Sequence, residues 1–250
     1  VWLLRKEKCQ SMKHPVRKSV GDRMGVVQVQ DAWRHRLRIP NYAPGEVARY
    51  TRISSSTISR WRQVAVMHHV KPREPLSYLE LIEIAVVAAA RKAGMKLADV
   101  VRAHSYLSRE FGEDYPFATI RLKTDGIDML KEYGRSNEGV KHLLVANMNG
   151  QLAWQDFLAQ RFHEFEYEQG IASRWHIAGK NRPVVIDPRI RFGAPHIKGI
   201  PTWLIQERVI NGEDIDYIAS DFNLNKEDVD AAIEFETEFS LRHRNIECLN

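Results

Sequence analysis

The run from Leu76 to Gly94 leaves the chain few choices. Ser77-x-x-Glu80 has the form of a capping box, in which the serine hydroxyl and the glutamate carboxylate satisfy free backbone N–H groups at a helix start. Leu79, Leu81, Ile82, Ile84, Ala85, Val86 and Ala89 then fall on nearly every side of the helix, and Arg91-Lys92 followed by Gly94 is a natural stop. A helix without a polar face is stable only where other elements cover it all round. It should therefore be the central buried helix of a domain. Its most apolar part, Ile82 to Ala90, is far shorter than the ~20 residues of a membrane span, so the covering material has to be protein. With 250 residues the chain can supply it.

Tyr42 to Trp61 reads as two short helices joined by a tight turn. Pro44 suits the first turn of a helix, where its missing N–H is not needed, and Val47 with Ala48 gives a small apolar face. Ile53 plugs the turn, Ser54 is placed to cap the second helix, and Ile58 with Trp61 falls at i,i+3 on the inner side. Ser55, Ser56, Thr57, Ser59, Arg60 and Arg62 are then left outside. Such side chains read base edges and phosphates from a helix in the major groove. An ordinary αα-hairpin with an exposed serine run would show the same local pattern, so the context has to decide.

Charge supplies that context. The net +5 is unevenly spread, with 16 Lys and Arg against 5 Asp and Glu over residues 1 to 75, 13 against 14 over 76 to 180, and 8 against 13 over 181 to 250. Basic charge concentrates where the two-helix stretch lies, as a polyanion partner requires. Residues 1 to 38, broken by Pro15, Gly21 and Gly25, read as a flexible arm with one short strand near Val26 to Val29. Within it, Arg34 to Arg38 could track phosphate or enter a minor groove, but plain disorder is the reading preferred. Val64 to Pro75 has the look of a short β-wing, with Lys71 and Arg73 available to a backbone phosphate. His68 and His69 have no further ligand at metal spacing, and no metal or cofactor is expected. Cys9 and Cys248 read as incidental thiols of a reducing compartment, and Val1 to Leu4 is too short for a signal sequence. A soluble, cytoplasmic protein without membrane contact is expected.

Further along, Leu97 to Phe111 should be a helix with Val100, Val101, Leu107 and Phe111 inward, ending at Gly112. These pieces together resemble the head domain of the MerR-type winged-helix regulators: Tyr42 to Trp61, the Leu76-Ser77-Tyr78-Leu79-Glu80-Leu81 start, Arg91 to Leu97 and the helix after it. No long heptad helix follows, so nothing of an inducer-binding tail carries over. Beyond Pro116 the period changes. Thr119 to Lys123 alternates, Val140 to Ala146 is apolar enough for a strand, Asn149-Gly150 signals a tight turn, and Trp154 to Phe162 has helical spacing. His163 to Glu168 alternates strictly, turns at Gln169-Gly170 and returns to Ile177. A hairpin should bury Phe165 and Tyr167 and show Glu164, Glu166 and Glu168 to solvent.

Val184 to Asp187 should form a short strand, with a second ending at Gly199. Helices are predicted from Thr202 to Ile210, from a cap at Asp214 to Asp221, and from a cap at Asn225 through about Phe239. Ile186-Asp187-Pro188, Phe192-Gly193-Ala194-Pro195, Gly199-Ile200-Pro201-Thr202, Asn211-Gly212-Glu213, Ile218-Ala219 and Leu224 to Ala232 resemble the small family called domain of unknown function 433, whose members are often described as antitoxins. Paired with the front domain, the chain from about 42 to 240 looks like DNA-binding antitoxins of the VapB class. That resemblance implies a PIN-like ribonuclease toxin as partner and repression of the chain's own operon. Family members often carry an arginine after the loop at Gly199, where this chain has Ile200-Pro201-Thr202, so no partner role for it carries over. The acidic final helix, with Glu227, Asp228, Asp230, Glu234, Glu236 and Glu238, either meets a basic partner or forms a solvated face.

No catalytic motif is present. Asp187 and His196 flank the Pro188 to Pro195 loop, but a turn-closing carboxylate and a half-buried histidine account for them, and no enzyme is expected. The fold class read from the sequence is α+β. It comprises a basic arm (1–40), a winged helix-turn-helix DNA-binding domain (41–135), a mixed β connecting region with a small hairpin (136–180) and an antitoxin-like domain of three helices, itself helix-turn-helix-like, with a short β-hairpin (181–250). A homodimer binding double-stranded promoter DNA is expected, and a stand-alone regulator whose C-terminal domain only dimerises is the alternative.

Overall fold

A computed structural model describes residues 32–63, 74–120 and 163–247, with side chains to residue 239 in the last stretch. Contacts group Val1–Ala32 as one unit and Trp33–Asn250 as another, and apart from Ala32 all the described residues belong to the second. The expected wing, with Lys71, Arg73, His68 and His69, lies outside the described residues. So do the strand near Val26, the Val140 to Ala146 strand, the Asn149-Gly150 turn and the helix at Trp154.

The buried helix is where the capping box places it. α4, Tyr78–Lys92, starts with Glu80 N–H donating to Ser77 Oγ at 3.3 Å and Ser77 N–H donating to Glu80 Oε2 at 2.6 Å. Nearly all of its residues are buried, including Glu83. Packed against it are α2 (Pro44–Thr51), the 3-10 turn Pro116–Ala118 and α5 (Leu97–Phe111), which ends at Gly112 in the left-handed conformation, while α3 (Ser55–Gln63) packs on α2. Glu83 belongs to the core. Its Oε1 accepts from Phe117 N–H (2.8 Å) and Ala118 N–H (3.1 Å) of the 3-10 turn Pro116–Ala118, and His104 Nε2 of α5 stands 3.1 Å from its Oε2 without hydrogen-bond alignment.

Leu37 corrects the reading of the arm. It is fully buried, its carbonyl accepts from Leu79 N–H, and it follows α1, Ala32–Arg36. Arg34 donates to the Gln169 carbonyl at 2.7 Å. An apolar residue inside a basic run carries no periodic signal, which is why the run reads as arm.

The β structure is small and antiparallel. β1 (Phe165–Glu168) pairs with β2 (Ile171–Trp175) across Gln169-Gly170, both at positive φ as a tight hairpin turn requires. The register slips between Glu166 and Tyr167, so the period of two breaks there. Phe165 is buried, but Tyr167 is only half-buried, and the glutamates are ion-paired or hydrogen-bonded rather than merely solvated. Bridges Trp175–Ile186 and Val185–His196 lead from this hairpin to β3 (His196–Ile197), which pairs with β4 (Ile200–Pro201). Thr119, expected to begin an alternating strand, makes a single bridge to Ile171 after the 3-10 turn.

The C-terminal helices are α6 (Thr202–Ile210), α7 (Ile215–Phe222) and α8 (Lys226–Glu247). Asp214 Oδ1 accepts from Asp216 N–H at 2.8 Å, and Asn225 Oδ1 from Asp228 N–H at 2.7 Å, so both predicted caps form. α8 runs past the predicted end at Phe239 because no glycine or proline stops it. The class is thus α+β, and none of the described helices is long and apolar enough to cross a membrane.

Candidate nucleic-acid interface

α2 opens with Pro44 and with Ala43 N–H donating to Glu46 Oε2 at 2.8 Å. It closes at Arg52, in the left-handed conformation, with Ile53 N–H returning to the Ala48 carbonyl at 3.2 Å. Ser54 Oγ then accepts from Thr57 N–H at 3.2 Å and caps α3. Ile58 and Trp61 are buried, so the inner face of α3 is fixed, with α2 as its packing partner.

On the outer face the predicted residues separate. Ser55, Ser56 and Arg60 are exposed, with Ser56 and Arg60 one turn apart. Thr57 and Ser59 are half-buried. Thr57 Oγ1 lies 2.8 Å from Ser54 Oγ, and Ser59 Oγ donates to the Ser55 carbonyl at 2.9 Å. Arg62 is a correction. It is buried, and its Nη2 donates to the Glu74 carbonyl at 2.9 Å. The guanidinium holds the chain entering α4, and burial pulls its pKa down. Arg62 lies four residues after the buried Ile58, on the same side of the helix, so the signal was present in the sequence.

The cations of α2 and its cap are occupied. Arg49 Nη1 lies 3.2 Å from Glu236 Oε2, with the guanidinium Cζ 5.2 Å from the Tyr50 ring centroid, while Arg52 Nη2 reaches Glu238 Oε1 at 2.9 Å, with its Cζ 5.0 Å from the Phe239 centroid. Burial pushes the Tyr50 hydroxyl up to about 12. Both glutamates belong to α8, which corrects the reading of its acidic face as wholly available. Glu236 is buried and also accepts from Thr202 Oγ1 at 2.5 Å, Asp228 pairs with Lys198 at 2.6 Å, and Arg182 stands 3.7 Å from Glu234. Glu227 and Asp230 remain exposed. Ion pairs between residues nearly two hundred positions apart leave no sequence signal.

Asp187 sits in a second knot. Its Oδ1 accepts from Arg189 N–H and Nε, both at 2.9 Å, and its Oδ2 from Arg189 Nη2 at 2.8 Å and Arg174 Nη2 at 3.4 Å. Arg189 continues to Glu168 at 2.5 Å and over Trp33 at 5.4 Å, and Arg174 to Glu166 at 2.8 Å. Burial works to raise the Asp187 pKa, yet the Arg189 hydrogen bonds and the two guanidinium charges hold it below the ordinary value. His196 is buried, its Nδ1 accepts from Gly199 N–H at 3.2 Å, and burial lowers its pKa. The arrangement joins the hairpin, α1 and the Pro188 to Pro195 loop. Among the described residues no group of three His, Cys, Asp or Glu could hold a metal ion.

The chain matches the model of a family described as a protein of unknown function, DUF433, over residues 184–235. No curated protein matches it. The crystal structure of Rv2018 from Mycobacterium tuberculosis has a similar fold, with a TM-score of 0.66 over 78% of this chain and 97% of that one at 21% identity. The strand expected over Val184 to Asp187 is reduced to single bridges at Val185 and Ile186. From Val184 to Phe235 on α8, the C-terminal part of the chain is a DUF433 domain.

Proposed function

We propose that the chain is a DNA-binding antitoxin of a type II toxin–antitoxin pair, which binds its own promoter as a repressor and neutralises a PIN-like ribonuclease toxin. The observation that carries the reading is the α2–α3 pair. Read as a helix-turn-helix, it presents Ser55, Ser56 and Arg60 from a helix whose inner face is locked by Ile58 and Trp61, in the most basic third of the chain. Ser55 and Ser56 lie in the first turn of α3, where side chains and backbone N–H groups of a groove-inserted helix meet bases and phosphates. The DUF433 domain at the other end supports the toxin half of the reading through the resemblance to antitoxins that pair these two modules.

Gel-shift titration with the protein's own upstream DNA tests the first half, and co-expression with the product of the adjacent reading frame the second. Sequence-specific retention together with rescue of growth would support the whole reading. Specific retention without any complex would leave a stand-alone regulator. That second reading has its own support in the grip of α8 on α2, which gives the C-terminal domain a structural part in holding the reading head.

A further inference from the structure

Large apolar side chains that stand exposed among the described residues include Trp203 and Ile210 on α6 and Tyr217 on α7. Trp203 (50% exposed) and Ile210 (75%) are two helical turns apart, and Glu207 lies between them at i+4 and i−3. The three therefore form one stripe, apolar, acidic, apolar. Thr202 and Ile205, on the other side of α6, are fully buried. Half of the Trp203 side chain and most of Ile210 face away from the chain.

The charge beside it is one-sided. Arg208, the next residue on the helix, is held by Glu213 and Asp221, both at 2.5 Å. Glu207, in contrast, makes no ion pair among the described residues. A twofold contact between two copies centred on the stripe would bring Glu207 against Glu207 with the neighbouring cation already engaged. Like charges in a desolvated patch are repelled. A basic counterpart has no such penalty.

We propose that this face of α6 docks a different protein, one that offers an apolar recess to Trp203 and a lysine or arginine to Glu207, and that it is the surface by which the C-terminal domain takes its toxin. The identity of that partner rests on the antitoxin reading; the position of the surface rests on the stripe. Of the three, the indole is the side chain most often found as a binding hot spot, and Glu207 would sit at its charged edge.

The test is isothermal titration of the full-length chain with the purified product of the adjacent reading frame, at low and high salt. Trp203→Ala and Ile210→Ser should each weaken the complex by at least ~30-fold, and Glu207→Gln should flatten its salt dependence. Ile210→Ser and Glu207→Gln, at exposed positions, should keep the wild-type melting temperature, and all three variants the wild-type gel-shift, which separates loss of the surface from misfolding. Wild type and all three variants binding the partner alike would overturn the surface while the antitoxin reading stood. A wild type that binds no such partner would remove that reading and the surface with it. A Trp203→Ala chain that falls from dimer to monomer with unchanged partner affinity would make the stripe a self-contact and overturn the proposal as well.

Discussion

Arg60 and Arg62 stand two residues apart on α3, and about 200° of helical rotation between them turns one to solvent and the other into the core. Arg60→Ala is expected to leave the fold intact and weaken specific DNA binding by ~1–3 kcal/mol, with relaxed preference at one base position; gel-shifts against operator variants would show it, and undiminished operator binding would remove Arg60 from the interface. Arg62→Ala should do the reverse, lowering the melting temperature by the loss of ~1–3 kcal/mol as the Glu74 carbonyl loses its charged donor. Gly193 is a third residue whose part is visible only in three dimensions. It has φ +78°, and a Cβ there would collide with the Tyr42 hydroxyl, on the segment that leads into α2. Gly193→Ala should destabilise by ~1–3 kcal/mol, measurable by thermal melting. His196 and Asp187 give the acid response. The depressed His196 pKa means that only the unfolded chain binds this proton just below the ordinary 6.5, so stability falls as the pH drops from about 6.5 towards the folded value. The depressed Asp187 pKa contributes stability above the ordinary 3.8 that is lost as the pH falls through the lower folded value. Melting temperature should therefore decline in two stages, with the upper stage reduced in His196→Gln and the lower in Asp187→Asn; an unchanged upper stage in His196→Gln would contradict the assignment.

At the scale of elements, α4, α5 and α6 follow the bounds that capping residues and stop signals assign them, because those signals are local chemistry: Ser77 and Glu80 at one start, Gly112 at one end, Asn211 after another. The hairpin was legible through its turn, but the slip at Glu166 was not. A strict alternation of apolar and acidic residues carries no mark of an added Ser173 on the facing strand. Least legible was the contact of α8 with α2, since Arg49 and Glu236 meet only after everything between them has folded. A double-mutant cycle on Arg49→Ala and Glu236→Gln should give a coupling of ~0.5–3 kcal/mol in urea unfolding, larger than that of exposed pairs, because the Glu236 side chain is 3% exposed. Additive effects would mean that Thr202, which also donates to Glu236, holds that carboxylate alone.

For the whole molecule, the α+β class and the basic-to-acidic gradient were readable from composition and period. How the two ends meet was not. The charge gradient suggests a reader at one end and a partner module at the other, whereas the acidic helix also reaches back to the arginines of the first. The family pattern covers residues 184–235, yet Glu236, Glu238 and Phe239, the residues that hold α2, come directly after it on the same helix. A chimera that replaced 184–235 with the corresponding piece of another DUF433 domain would keep the gripping residues of this chain. It would also make their aim depend on the donor, since a helix that ran one residue longer or shorter would swing them by about 100°. Interchange of such domains is therefore constrained less by their cores than by the rotational phase in which the last helix leaves them.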